Sequence, residues 1–116
     1  MIWNMRRRKK KVFTVTLSGN FYKQTDITER AAELYVTING EDCTDEGIYE
    51  VAPDTVIQVY AKTQGRKFTE PGIIRLNGER VNETYTYGLK VTGNVIIKGT
   101  IQSVVKQAIA DITMPA

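Results

Sequence analysis

Val36-Thr37-Ile38-Asn39-Gly40-Glu41 returns thirty-eight positions later as Ile74-Arg75-Leu76-Asn77-Gly78-Glu79. The correspondence continues without a gap: Tyr49-Glu50-Val51 falls on Tyr87-Gly88-Leu89, and Ile57-Gln58-Val59 on Val95-Ile96-Ile97. Each copy reads as strand, Asn-Gly turn, strand, polar turn, strand. Asn-Gly supplies the left-handed backbone that a tight hairpin turn needs. Apolar and polar residues alternate around it, the period of a strand with one buried face. One small β-unit is therefore used twice to build one domain.

The flanking sequence extends the pattern. Val12 to Leu17 is a first strand, with Phe13, Val15 and Leu17 on one face. In the first copy Leu34, Val36 and Ile38, then Tyr49 and Val51, then Ile57, Val59 and Ala61 face inward. In the second copy Ile74 and Leu76 do so, followed by Tyr85, Tyr87, Leu89 and Val91. Asp26-Ile27-Thr28-Glu29 has the form of a capping box, so residues 20–32 read as a loop with one turn of helix. Residues 102–108 read as a helical turn or loop, and a closing strand runs from about Ile109 to Met114, expected to lie beside the first strand. Seven to eight short strands separated by turn signals indicate an all-β fold, a single Ig-like antiparallel β-sandwich over residues 12–116 behind a basic N-terminal arm, residues 1–11. The Cys…Trp…Cys pattern of true Ig domains is absent, so the likeness is one of architecture.

A chain of 116 residues is one domain by length. Hydrophobic residues at 41% and charged residues at 25% are ordinary for a globular chain. With the single cysteine, Cys43, no internal disulfide forms, and the fold stands on packing. No apolar stretch has the length of a membrane-crossing helix. The net charge of +3 averages two unlike parts. Arg6, Arg7, Arg8, Lys9, Lys10 and Lys11 are six cations in a row, and without them the acids outnumber the bases. A secretory leader needs about seven or more apolar residues after its charges. Here Val12-Phe13-Thr14-Val15-Thr16-Leu17 alternates instead, so the chain is expected not to be exported by a signal peptide.

Parts for catalysis are scarce. The chain has no histidine, the commonest general base. Cys43 thus lacks a Cys–His partner and, alone, builds no structural zinc site. No phosphate-cradling glycine loop is present. Glu41-Asp42-Cys43-Thr44-Asp45-Glu46 gathers four carboxylates, but the spacing is not that of an EF-hand, and the stretch reads as a solvated turn. The expectation is no catalytic residue, no cofactor, no metal and no enzyme.

Binding residues are better represented. Trp3 with Arg6, Arg7, Arg8, Lys9, Lys10 and Lys11 is the candidate contact segment. It suits either an acidic neighbouring subunit or the phosphates of a nucleic acid. No aromatic is interleaved among the charges, so base stacking is not suggested. Tyr35 and Tyr60 point away from the inward face and offer an aromatic platform for a sugar, whereas Tyr85 and Tyr87 share a face with Leu89 and Val91. Asn82-Glu83-Thr84 matches the glycosylation triplet, which a chain that is not exported does not use.

Tyr35-Val36-Thr37-Ile38-Asn39-Gly40, Gly47 to Val59, Ile74 to Val81, Tyr85 to Val91 and the final Ile112-Thr113-Met114 together resemble a loose group of small Ig-like β-sandwich proteins. These are encoded in phage and prophage structural-gene clusters of Gram-positive bacteria. The resemblance covers roughly residues 12–114 and rests on turn and core positions. It implies a virion protein of the head, connector or tail, made in the host cytoplasm. Its expected partners are other virion subunits, in a homo-oligomer or larger assembly, with packaged DNA as a second partner for the arm and no membrane. It transfers no catalytic residue. The reading from another class is a module that recognises a host glycan or peptide.

Overall fold

The computed structural model describes residues 11–19, 21–22, 32–63, 70–102 and 107–115. The first copy of the repeat becomes β2 (Ala32–Ile38), β3 (Glu41–Asp42), β4 (Gly47–Val51) and β5 (Val56–Thr63). The second becomes β7 (Ile73–Leu76), β8 (Glu79–Arg80), β9 (Thr86–Lys90) and β10 (Val95–Gln102). Outside the repeat lie β1 (Phe13–Ser18), β6 (Glu70–Pro71) and β11 (Gln107–Thr113).

The two copies fold alike at their turns. Asn39 and Gly40 have φ of 51° and 84°, and Asn77 and Gly78 have 51° and 88°, so each pair forms the tight hairpin that the sequence predicts. Thr37 pairs with Asp42 in one hairpin, and Arg75 pairs with Arg80 in the other, an identical register. Just past each hairpin a backbone N–H returns to the strand: Cys43 donates to Val36 and Val81 to Ile74, both at 2.9 Å.

Two sheets pack face to face as a β-sandwich. The larger runs β4-β1-β10-β11-β7-β8. The smaller runs β3-β2-β5, with β9 and the short β6 following one another along the far side of β5. Eleven segments thus fill ten strand positions, more than the seven to eight predicted. The excess comes from two-residue strands, β3, β6 and β8, which are too short to show a period. The antiparallel expectation holds for the smaller sheet only. In the larger sheet β1 runs parallel to β10, and β11 parallel to β7.

The copies exchange one strand. β4 leaves its own copy for the larger sheet, and β9 leaves its copy for the smaller. In the smaller sheet β5 is hydrogen-bonded to β2 on one side and β9 on the other. In the larger sheet the equivalent strand, β10, meets β7 only through β11, and β4 only through β1. The first and last strands therefore do not pair, as the sequence suggested, but flank β10 on either side. Nor is β1 a sheet edge: β4 lies outside it.

Inward faces are those the alternation marks. Val15, Leu34, Val36, Ile57, Val59, Ala61, Ile74, Val91, Val95 and Ile97 are fully buried in one core. Repeat-related positions are buried as pairs: Val36 with Ile74, Ile57 with Val95, Val59 with Ile97. Each such side chain contributes on the order of 1.5–3 kcal/mol by leaving water. At Gly99 a side chain has no room, since an added Cβ would stand 2.7 Å from the Phe21 ring and 2.9 Å from Leu34 Cδ1. Its repeat partner is Ala61, which packs as an ordinary core residue.

Candidate functional site

The β4 side of the larger sheet carries three of the four exposed large apolar residues among those described, Val12, Ile48 and Ile96. Among the described residues β4 has a strand neighbour on one side only, β1. A row of unpaired main-chain groups of this kind is a template for a further strand. Ile48, at its centre, is 69% exposed. Cross-strand register sets Ile48 and Ile96 on either side of Thr16, and Ile96 is 49% exposed. Val12, on the same face of β1, is also 49% exposed. Alternation explains why these apolar residues face out: Tyr49 and Val51 pack on the core, which turns Ile48 and Glu50 to solvent.

The other three edges differ. β3 returns along β2 and β8 along β7, and the Asn82 side chain accepts from the N–H of Ile74 where β8 has ended. β9 is open on its outer side among the described residues, but it presents Gly88 and Lys90 rather than an exposed isoleucine. A lysine on an edge opposes pairing.

Charge is concentrated at the same side. Glu41, Asp45, Glu46 and Glu50 are exposed along β3, the following loop and β4. Among the described residues the ion pair lies elsewhere, between Arg75 and Asp111 at 3.4 Å, in a half-exposed position where such a pair stabilises little. Burial, followed by the field of Asp42 and Glu41, pushes the Cys43 thiol up from its ordinary range. A thiol held protonated is a poor nucleophile. Cys43 occupies the place that Val81 fills in the second copy, and both pack against the core, so its role there is that of a small apolar residue.

Of the predicted contact residues, Lys11 alone falls among those described; Trp3, Arg6, Arg7, Arg8, Lys9 and Lys10 lie outside them. Lys11 is exposed, with its Nζ 5.3 Å from the centre of the Phe13 ring. Phe13 opens β1 opposite Val51, so the arm meets the fold at the far end of β4 from the acidic loop.

The aromatic platform is not where the alternation put it. Tyr35 is 4% exposed, and Glu33 and Thr37 beside it are equally buried, so β2 is covered on both faces. Tyr85 precedes β9 at a bend that swings it out of line with Tyr87. It joins the outer face instead, 6.4 Å from Tyr60, while Tyr87 packs on the core. Lys62 Nζ lies 5.1 Å from the Tyr35 ring centre and 4.9 Å from that of Tyr85, filling the gap between them. Tyr60 and Tyr85 are left half-open on the outer face.

Asn82, the first residue of the glycosylation triplet, is buried, and both of its amide termini are occupied. Its Nδ2 donates to the carbonyls of Gly72 and Thr84 at 2.8 and 2.7 Å, and its Oδ1 accepts from Ile74 N–H at 2.9 Å and Arg80 Nε at 3.2 Å. It locks the start of β7 and is no glycan acceptor. The sequence marks it only as a departure from the repeat, where Thr44 is its counterpart. Among the described residues no group of three or more acids and cysteines is placed to hold a metal ion. Compared with protein-family models, with curated proteins and with solved structures, the chain matches none of them.

Proposed function

We propose that this chain is a non-enzymatic structural protein of a bacteriophage virion, one of the small Ig-like sandwiches of head, connector or tail, assembling with other virion subunits through its sheet edges and basic arm. The observation that carries this reading is the apolar edge of β4, open on its outer side among the described residues. A two-sheet body whose described residues include an exposed, apolar edge strand suits a subunit that continues its sheet into a neighbour. The repeat-wide likeness to phage structural proteins supplies the setting, and the arm supplies a second contact. A second reading, a module for host glycans, is favoured by the half-open Tyr60–Tyr85 pair alone.

Particles released by a culture that produces the chain test the first reading. The chain should co-purify with them through a density gradient and be detected by mass spectrometry in a fixed ratio to the major particle proteins. Its recovery only in the soluble fraction overturns the virion assignment. Binding on a glycan array that is lost in Tyr60→Ala would favour the second reading instead.

A further inference from the structure

Resting on the assembly reading, we infer that the free edge of β4 is completed by the basic arm of a second copy of this chain, added as one more strand beside Gly47–Val51. The edge has three properties that fit one occupant. Its main-chain groups are open along the outer side of β4 among the described residues. Its outward side chains, Ile48 and Glu50, are exposed within a single copy. Its near end carries Asp45 and Glu46, also exposed. A strand that satisfies this edge needs free backbone donors and acceptors, cations to face Glu46 and Glu50, and apolar residues for Ile48. Arg6 to Lys11 preceded by Ile2, Trp3 and Met5 is such a sequence, without proline or glycine to interrupt it.

Geometry favours another copy's arm over the chain's own. β1 and β4 are antiparallel, with Phe13 opposite Val51 and Leu17 opposite Gly47. The arm leaves at the Phe13 end, where Glu50 lies opposite Thr14, whereas Asp45 and Glu46 stand at the Gly47 end, roughly 16 Å away along five residues of strand. To reach its own edge the chain would have to pass over the end of β4, where Ala52 and Pro53 leave the strand. A neighbour displaced along the strand direction brings its arm to the acidic end directly. Donor and acceptor are then different surfaces on one molecule, so the contact is head to tail and propagates. Opposite charge at the two surfaces selects the pairing and speeds encounter.

Two full-length variants test this. In the donor-defective one, Arg6, Arg7, Arg8, Lys9, Lys10 and Lys11 are all replaced by Gln. In the acceptor-defective one, Glu46→Lys, Ile48→Lys and Glu50→Lys are combined; all three side chains are exposed, so the fold should be unaffected and thermal melts should match the parent. Sedimentation velocity should show concentration-dependent self-association for the parent. Each variant alone should be monomeric, its association weakened about tenfold or more. Mixed in equal amounts, they should form a heterodimer that grows no further, because one good arm and one good edge remain. The inference is overturned if the Gln-arm variant associates as the parent does, if the mixture stays monomeric, or if the parent itself never associates. It is likewise overturned if the Gln substitutions abolish binding to duplex DNA while leaving self-association unchanged. None of these results bears on whether the chain is found in particles, so the virion reading stands or falls separately.

Discussion

The smaller and larger sheets are built on the same repeated unit, yet only the larger one admits the ends of the chain. In the smaller sheet β2, β5 and β9 touch in succession. In the larger, β11 separates β7 from β10, and β1 separates β10 from β4. The turn asparagines register the difference. Asn39 N–H donates to Val56, within its own copy, whereas Asn77 N–H donates to Ile112 on the inserted strand. A duplicated unit thus tolerates a strand let into its middle. Register slides by two residues, from Val36 level with Val59 to Ile74 level with Gly99 across Ala110, and an even slide leaves every inward side chain inward.

The comparison can be broken at repeat-related positions by urea unfolding of single variants. The largest gap should fall between Asn82 and Thr44. Asn82→Ala strands the N–H of Ile74 and two carbonyls, at a cost of about 2–4 kcal/mol. Thr44→Ala, at the matching place, should change stability by no more than about 0.5 kcal/mol. Equal losses would mean that the copies are supported alike, contrary to the hydrogen bonds seen.

Gly99 and Ala61 come next. Gly99→Ala forces a methyl against Phe21 and Leu34 and should cost about 1–3 kcal/mol, with Phe21 displaced. Partial relief by Phe21→Leu in the same chain would sharpen the point, since the crowding belongs to Phe21 and not to the strand. Asn77→Ala should exceed Asn39→Ala by about 1 kcal/mol. Both lose a residue suited to positive φ, but Asn77 also exchanges bonds of 3.0 and 2.9 Å with Met114, against a single 3.4 Å contact from Val56 to Asn39. Smallest of all is Cys43→Val, expected within about 0.5 kcal/mol of the parent because valine already fills the counterpart position. The same cysteine should react with a thiol reagent more slowly in the native chain than in urea, since its raised pKa keeps the thiolate scarce near neutral pH.

Alternation and Asn-Gly pairs made the repeat, the inward faces and the sandwich legible, because both report local backbone conformation. Sheet membership was not legible. Nothing in Tyr49 or Tyr87 tells that β4 and β9 change sheets, since an inward tyrosine packs equally well on either. The neighbours of β1 were missed for the same reason: a strand's period fixes its faces and leaves its edges unspecified. Tyr85 was misassigned because a bend before β9 breaks the alternation that Tyr87, Leu89 and Val91 obey. The acidic loop was read as a solvated turn. That it flanks an edge strand follows from β4 lying outside β1, which is a property of topology.

The placement of β1 also bears on how the chain reaches its native state. Thr14 and Asn94, bonded across this ladder, are 80 residues apart in sequence. The β2–β5 and β5–β9 ladders of the smaller sheet close over separations of 19 to 34 residues, from Ile38↔Ile57 to Val56↔Lys90, but the larger must join the first strand to β10, so folding should be slow for the chain's size. During synthesis β1 precedes the β10 positions it pairs with by 80 residues, from Val15 to Val95. Until β10 is made the side of β1 that it covers stays open, since β4 pairs on the other side, and the six cations just before β1 oppose association of such half-made chains by mutual repulsion.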